Sequence, residues 1–174
     1  MAAVRIEGVK DLLSFPNPVN EKAARAVAGL VLVTCIVALA TSQYWLLAPL
    51  ALGFLARVLT GPRLSPFGQL ATRVIAPRLG EPHYVAGPPK RFAQAMGLAI
   101  TSTGAVLALG FGLEAAAAVV LMAMIVATGL ESILALCLGC KVFAGLMRLG
   151  LVPEKVCAEC ANFATAQVAS SRAT

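Results

Sequence analysis

Residues 26–56 run for thirty-one positions without a charged side chain, from just after Arg25 to just before Arg57. One bilayer-crossing helix needs only about 20 apolar residues, so this run is too long for a single ordinary span. Its middle, "TSQYW" at 41–45, is polar and aromatic, the composition of a membrane–water interface. The run reads as a helical hairpin with spans near 23–42 and 45–60. Pro49 falls near the start of the second span, where a missing N–H is tolerated.

The rest of the chain follows the same logic. Phe92 to Leu113 is a second uncharged run, "GFGLE" at 110–114 supplies a turn, and the apolar sequence resumes from Ala115 to Cys140 with Glu131 as its only charge. This is a second hairpin. Its small residues, Ala95, Ala99, Gly104, Ala116, Ala123 and Ala127, suit close helix packing in lipid. Hydrophobic residues make up 59% of the 174 and charged residues 13%, against roughly 45–50% and about 25% in soluble domains. The mean hydropathy of +0.86 agrees. Residues 1–22 carry scattered charges and "FPNP", and do not read as a cleavable signal peptide.

Between the hairpins, prolines and glycines break up residues 61–90. Leu64, Phe67, Leu70, Val74 and Ile75 nevertheless recur at helical spacing, with Arg63, Arg73 and Arg78 among them. That pattern predicts a short helix lying on the membrane surface, against a plain basic loop as the alternative.

Charge sets the orientation. The N-terminal segment holds Arg5, Lys10, Lys22 and Arg25. The central one holds Arg57, Arg63, Arg73, Arg78, Lys90 and Arg91, and the C-terminal one Lys141, Arg148, Lys155 and Arg172. These are all fourteen basic residues, and the two turns on the other side hold none. The positive-inside bias then puts both termini and the central loop in the cytoplasm of a cell-membrane protein. A net charge of +6 without clustered stacking aromatics does not point to nucleic acid.

The expected architecture is an all-α integral membrane protein: four transmembrane helices as two hairpins, an interfacial helix and a short C-terminal cytoplasmic helix. Its segments are a cytoplasmic stretch 1–22, a hairpin 23–60, a cytoplasmic or interfacial stretch 61–90, a hairpin 91–140 and a cytoplasmic tail 141–174.

Cys137 and Cys140, then Cys157 and Cys160, form C-x2-C-x16-C-x2-C. That spacing fits a structural zinc site, with iron or an iron–sulfur cluster as weaker choices. Pro153 and Glu154 suit a helix start, which sets Cys157 and Cys160 one turn apart near its positive end. The leading expectation is a metal-stapled scaffold or subunit. The second is a thiol–disulfide or sulfur carrier working with a thioredoxin-like partner. The third is a small transporter using Glu131, although pairing of Glu131 with Arg57 or Arg91 is the simpler role for a carboxylate in lipid. Cys35, inside the first span, is expected to pack. His83, the one histidine, is expected to be solvated. No nucleotide-binding or catalytic-triad motif is present, so enzymatic activity, oligomeric state and substrate stay open.

The stretches "GPRLSPF" at 61–67, "PPKRFAQAMGL" at 88–98 and "ESILALCLGCKVF" at 131–143 resemble the small membrane-protein family filed as domain of unknown function 4395. The resemblance covers roughly residues 15–160. It implies a bacterial-type multi-span membrane protein, matches Cys137 and Cys140 residue by residue, and implies no particular activity.

Overall fold

The computed structural model describes residues 15–152 and residue 156. Helix α1 is Glu21–Ala40. A short 3-10 turn, Tyr44–Leu46, leads into α2, Leu47–Thr60. Segment 66–78 is continuously helical, with a wider turn at Ala71–Ile75, and is labelled α3. Helix α4 is Gly87–Ala105, extended by a wide turn at Val106–Gly110. Helices α5 and α6 are Glu114–Leu134 and Leu138–Arg148. The described residues are otherwise loop, apart from the two-residue strands β1, Val19–Asn20, and β2, Tyr84–Val85, which pair antiparallel.

The sequence explains the boundaries. Asn20 caps α1, its side chain accepting from Lys22 N at 3.0 Å. Gly61, at φ 64°, ends α2 in a conformation open to glycine, and its N–H returns to the Arg57 carbonyl. Ser65 caps α3 ahead of Pro66. Threonines within the helices satisfy their own hydroxyls: Thr34 donates to Leu30 O, Thr101 to Gly97 O and Thr128 to Met124 O, at 2.7–2.8 Å.

Helix packing does not follow the hairpins. α1 packs on α5 and α2 packs on α4, with α4 also against α5, while α1 and α2 touch little. α3 lies against α1 beside this gap. Its buried residues are the small Gly68, Ala71 and Ala76, while Leu70 and Val74 face outward. Of the apolar residues expected to seat a surface helix, Leu64, Leu70 and Val74 point away from the bundle, while Phe67 packs against its core.

Inward stripes occur at helical spacing. On α1 they are Ala23, Val27, Val31, Cys35 and Ala38; on α5, Ala117, Leu121, Met124 and Thr128. Cys35 packs in this core, completely buried. The outer surface is also apolar: Val33, Leu52, Val119, Val126 and Ile133 are each more than half exposed. Three helices, Glu21–Ala40, Gly87–Gly110 and Glu114–Leu134, are long and apolar enough to cross a membrane, and Tyr44–Thr60 is a shorter apolar one.

Two expectations are corrected. Of the six small residues singled out for close packing, only Gly104 is buried; Ala95, Ala99 and Ala123 are exposed. Close approaches occur instead where a Cβ has no room, at Gly97 under the Phe54 ring, at Gly104 beside Val120 and Leu47, and at Gly139 against the Ala93 backbone. The last long helix also stops at Leu134 rather than near Cys140. Ala135 adopts the left-handed conformation (φ 56°), and the Leu136 N–H closes back on Leu130 O. A separate helix, α6, then begins.

Candidate functional site

One end of the bundle gathers the chemistry. There the start of α1, the end of α2, the start of α4 and the end of α5 meet. The Glu21 N–H donates to His83 O at 2.7 Å, Gly87 N to Asn17 Oδ1 at 3.0 Å, and the Arg25 guanidinium to Ser132 O. His83 is not simply solvated: its Nδ1 lies 2.7 Å from Glu21 Oε2, at an exposed edge.

Glu131 is paired, but with neither Arg57 nor Arg91. Its partner is Lys90, with Nζ to Oε1 at 2.9 Å and both side chains largely buried. Helix geometry selects Lys90. On α4 the residues Lys90, Gln94, Gly97, Thr101 and Gly104 fall on one inward stripe, and Glu131 continues the inward stripe of α5 one turn beyond Thr128. Arg91 lies one residue round the helix and donates outward to Val58 O. Arg57 is held from the other side by Gln94 and Ser65.

Cys137 and Cys140 stand beside this ion pair. Cys137, with extended backbone (φ −82°, ψ 107°), is the N-cap residue of α6, and Cys140 lies in the first turn. Gly139 between them allows α6 to press on α4: a Cβ there would come within 2.6 Å of Ala93 Cα. Tilted rings of Phe92 and Phe143, centroids 5.5 Å apart, complete that contact.

Both thiols are free, Cys137 buried and Cys140 half-buried. The two thiols adjoin across the first turn of α6, and Cys140 acts on the Cys137 sulfur. The neighbouring Cys140 side chain holds the Cys137 thiol below its ordinary value near 9, and the Lys90 ammonium acts in the same direction, against burial and Glu131. Cys140 is pushed the other way, chiefly by the Cys137 side chain and by burial. An N-cap position adds the favourable field of the helix terminus for a thiolate. The pair opens on a cavity of about 460 Å³ also lined by Glu21, Lys90, Ala135 and Lys141.

Cys157 and Cys160 lie outside the described residues, as does all of the expected C-terminal helix except Val156, which is helical. Among the described residues no group of three or more His, Cys, Asp or Glu side chains converges as metal ligands would. Of the buried cations, Lys90 entered the sequence reading only as part of the basic flanks, and Arg57 also as an expected partner of Glu131. Their inward stripe, polar and small residues recurring every three or four positions on an otherwise apolar helix, was the available signal.

No curated protein and no solved structure matches the chain. A family model, Domain of unknown function (DUF4395), matches residues 19–148, from β1 to the last residue of α6. The matched stretch includes the C-x-x-C pair, the Lys90–Glu131 bridge and every helix described, and the chain belongs to the DUF4395 family.

Proposed function

We propose that this protein is a four-span membrane bundle whose Cys137–Cys140 pair exchanges electrons with a thioredoxin-like dithiol at the cytoplasmic face. Four spans are supported by Tyr44–Thr60, which lies alongside α4. At 17 residues it reaches about 25 Å, close to the ~30 Å hydrocarbon thickness and within the mismatch that bilayers accommodate. Tyr44 and Trp45 suit an interfacial anchor at its outer end. The ten described Lys and Arg residues belong to the opposite end and its flanking segments, which supports cytoplasmic termini in a cell membrane.

The observation that carries the redox reading is the placement of Cys137 as cap of α6, with Cys140 in the first turn and Lys90 on the same cavity wall. The chemistry balances as follows. The Cys137 thiolate attacks a partner disulfide, forming a mixed disulfide and releasing one partner thiolate. Cys140 gives up its proton and attacks Cys137 sulfur, so that the second partner sulfur leaves. Two electrons pass to the partner, and the internal disulfide that remains is reduced by the reverse sequence.

A maleimide gel-shift titration across dithiol/disulfide buffers tests this. One two-electron transition is expected between about −300 and −180 mV, in the range of cellular dithiols, and Cys137→Ser abolishes it. Thiols that stay free across the series sink the reading. The C-x2-C-x16-C-x2-C spacing favours a second reading, a metal staple through Cys137, Cys140, Cys157 and Cys160. Stoichiometric zinc or iron that disappears in Cys157→Ser decides for it.

A further inference from the structure

Two cations, Arg57 and Lys90, are buried at the basic end of the bundle, and one carboxylate, Glu131, faces them there. Lys90 is answered by that carboxylate. Arg57, only 4% exposed, is held by neutral groups: Nε donates to Gln94 Oε1 and Nη1 to Ser65 Oγ, each at 2.8 Å. Its guanidinium also lies 4.3 Å from the Phe54 ring centroid. The remaining nitrogen, Nη2, is buried without a hydrogen-bond partner among the described residues. A buried guanidinium with free donors and no adjacent counter-charge of its own is costly unless an acceptor anion completes it.

Arg57 lines a cavity of about 260 Å³ enclosed by α1, the end of α2, α3 and α4. Lys90, Gln94, Asn20 and Thr72 supply its other polar edges, and Ala23 and Val27 part of its apolar wall. One water occupies about 30 Å³ of liquid, so the space takes a polyatomic anion with part of an attached group.

We propose that this cavity binds a phosphate group, with Arg57 and Lys90 as its two positive edges. A guanidinium matches phosphate oxygens in geometry as well as charge, and one phosphate monoanion balances the local charge of the two cations and Glu131. The apolar wall suits a substituted phosphate. Its source is either an anionic phospholipid headgroup from the inner leaflet or a phosphate from solution. The site does not depend on the redox reading of the cysteines.

Thermal melting of the purified full chain tests the proposal in two arms. One compares inorganic phosphate with chloride at matched ionic strength in neutral detergent. The other compares phosphatidylglycerol with phosphatidylcholine nanodiscs. A rise in Tm of about 5 °C is expected in at least one arm; the phosphate arm alone identifies a soluble source, and the lipid arm alone a headgroup. Arg57→Gln removes the rise. Thr72 is an exposed residue of the cavity wall, so Thr72→Glu sets a carboxylate in the cavity that Arg57 and Lys90 line while leaving Gln94 and Ser65 in place. It also removes the rise, and decides the matter if Arg57→Gln fails to fold. No shift in either arm, or one that survives Thr72→Glu, overturns the proposal.

Discussion

The Lys90 ammonium lies 2.9 Å from the Glu131 carboxylate, joining the first turn of α4 to the last turn of α5. The pair sits within the electrostatic reach of Cys137, so the same bridge that closes the bundle also shapes the dithiol.

Breaking one side of the bridge leaves an unanswered buried charge. Lys90→Met or Glu131→Leu alone is expected to cost about 3 kcal/mol or more, whereas the double variant recovers most of the loss because two apolar side chains need no counter-charge. Unfolding of all four proteins in one detergent measures the coupling. Additive losses would show that the pair contributes nothing jointly.

Thiol reactivity gives the pH test. The neighbouring Cys140 side chain favours the ionised form of Cys137, so its folded pKa lies below the ordinary value near 9. Thiolate is then present at lower pH than for a free cysteine, and iodoacetamide should label Cys137 with a midpoint below pH 9. Cys140→Ala removes that neighbour and should move that midpoint upward. Mass spectrometry of the alkylated residue follows both; an unchanged midpoint in Cys140→Ala would falsify the effect assigned to Cys140.

Two glycines of α6 should respond oppositely to alanine. At Gly139 the added methyl meets the Ala93 backbone, which cannot rotate away, so Gly139→Ala is expected to destabilise by about 1–3 kcal/mol and to disturb the thiol pair. At Gly145 nothing lies within 4 Å, and Gly145→Ala is expected to stabilise by about 0.5–1 kcal/mol through helix propensity. Parallel melting curves compare them.

The span count is open to site-directed labelling. In a cysteine-free background, single cysteines at Ser42 and Gly112 should react with an impermeant maleimide from outside intact cells. Cysteines at Arg78 and Arg148 should react only after permeabilisation. A three-span chain places Ser42 and Gly112 on opposite sides.

Much of this protein is legible from its sequence. Charge-free runs at 26–56 and 92–113 mark where the long apolar helices lie, because no charged side chain interrupts them. The confinement of basic residues to alternate connections marks their common end. "CLGC" after an apolar helix identifies the family, and Pro49 falls in the first turn of α2, near the start expected for it. Tertiary structure decided the rest. Which helices pack together is not a local property: α2 lies on α4 where Gly97 and Gly104 leave room for Phe54 and Leu47, α6 lies on α4 where Gly139 meets Ala93, and α1 lies on α5 where Gly29 faces Ser132. The partner of Glu131 followed from that packing, since the inward stripe of α4 carries Lys90 rather than its neighbour Arg91, and Arg57 on α2 is engaged by Gln94 and Ser65. The break at Ala135 was hidden for the same reason. An alanine forced left-handed has no signature in sequence, and only the seating of α6 on α4 turns the C-x-x-C pair from the end of one helix into the cap of the next.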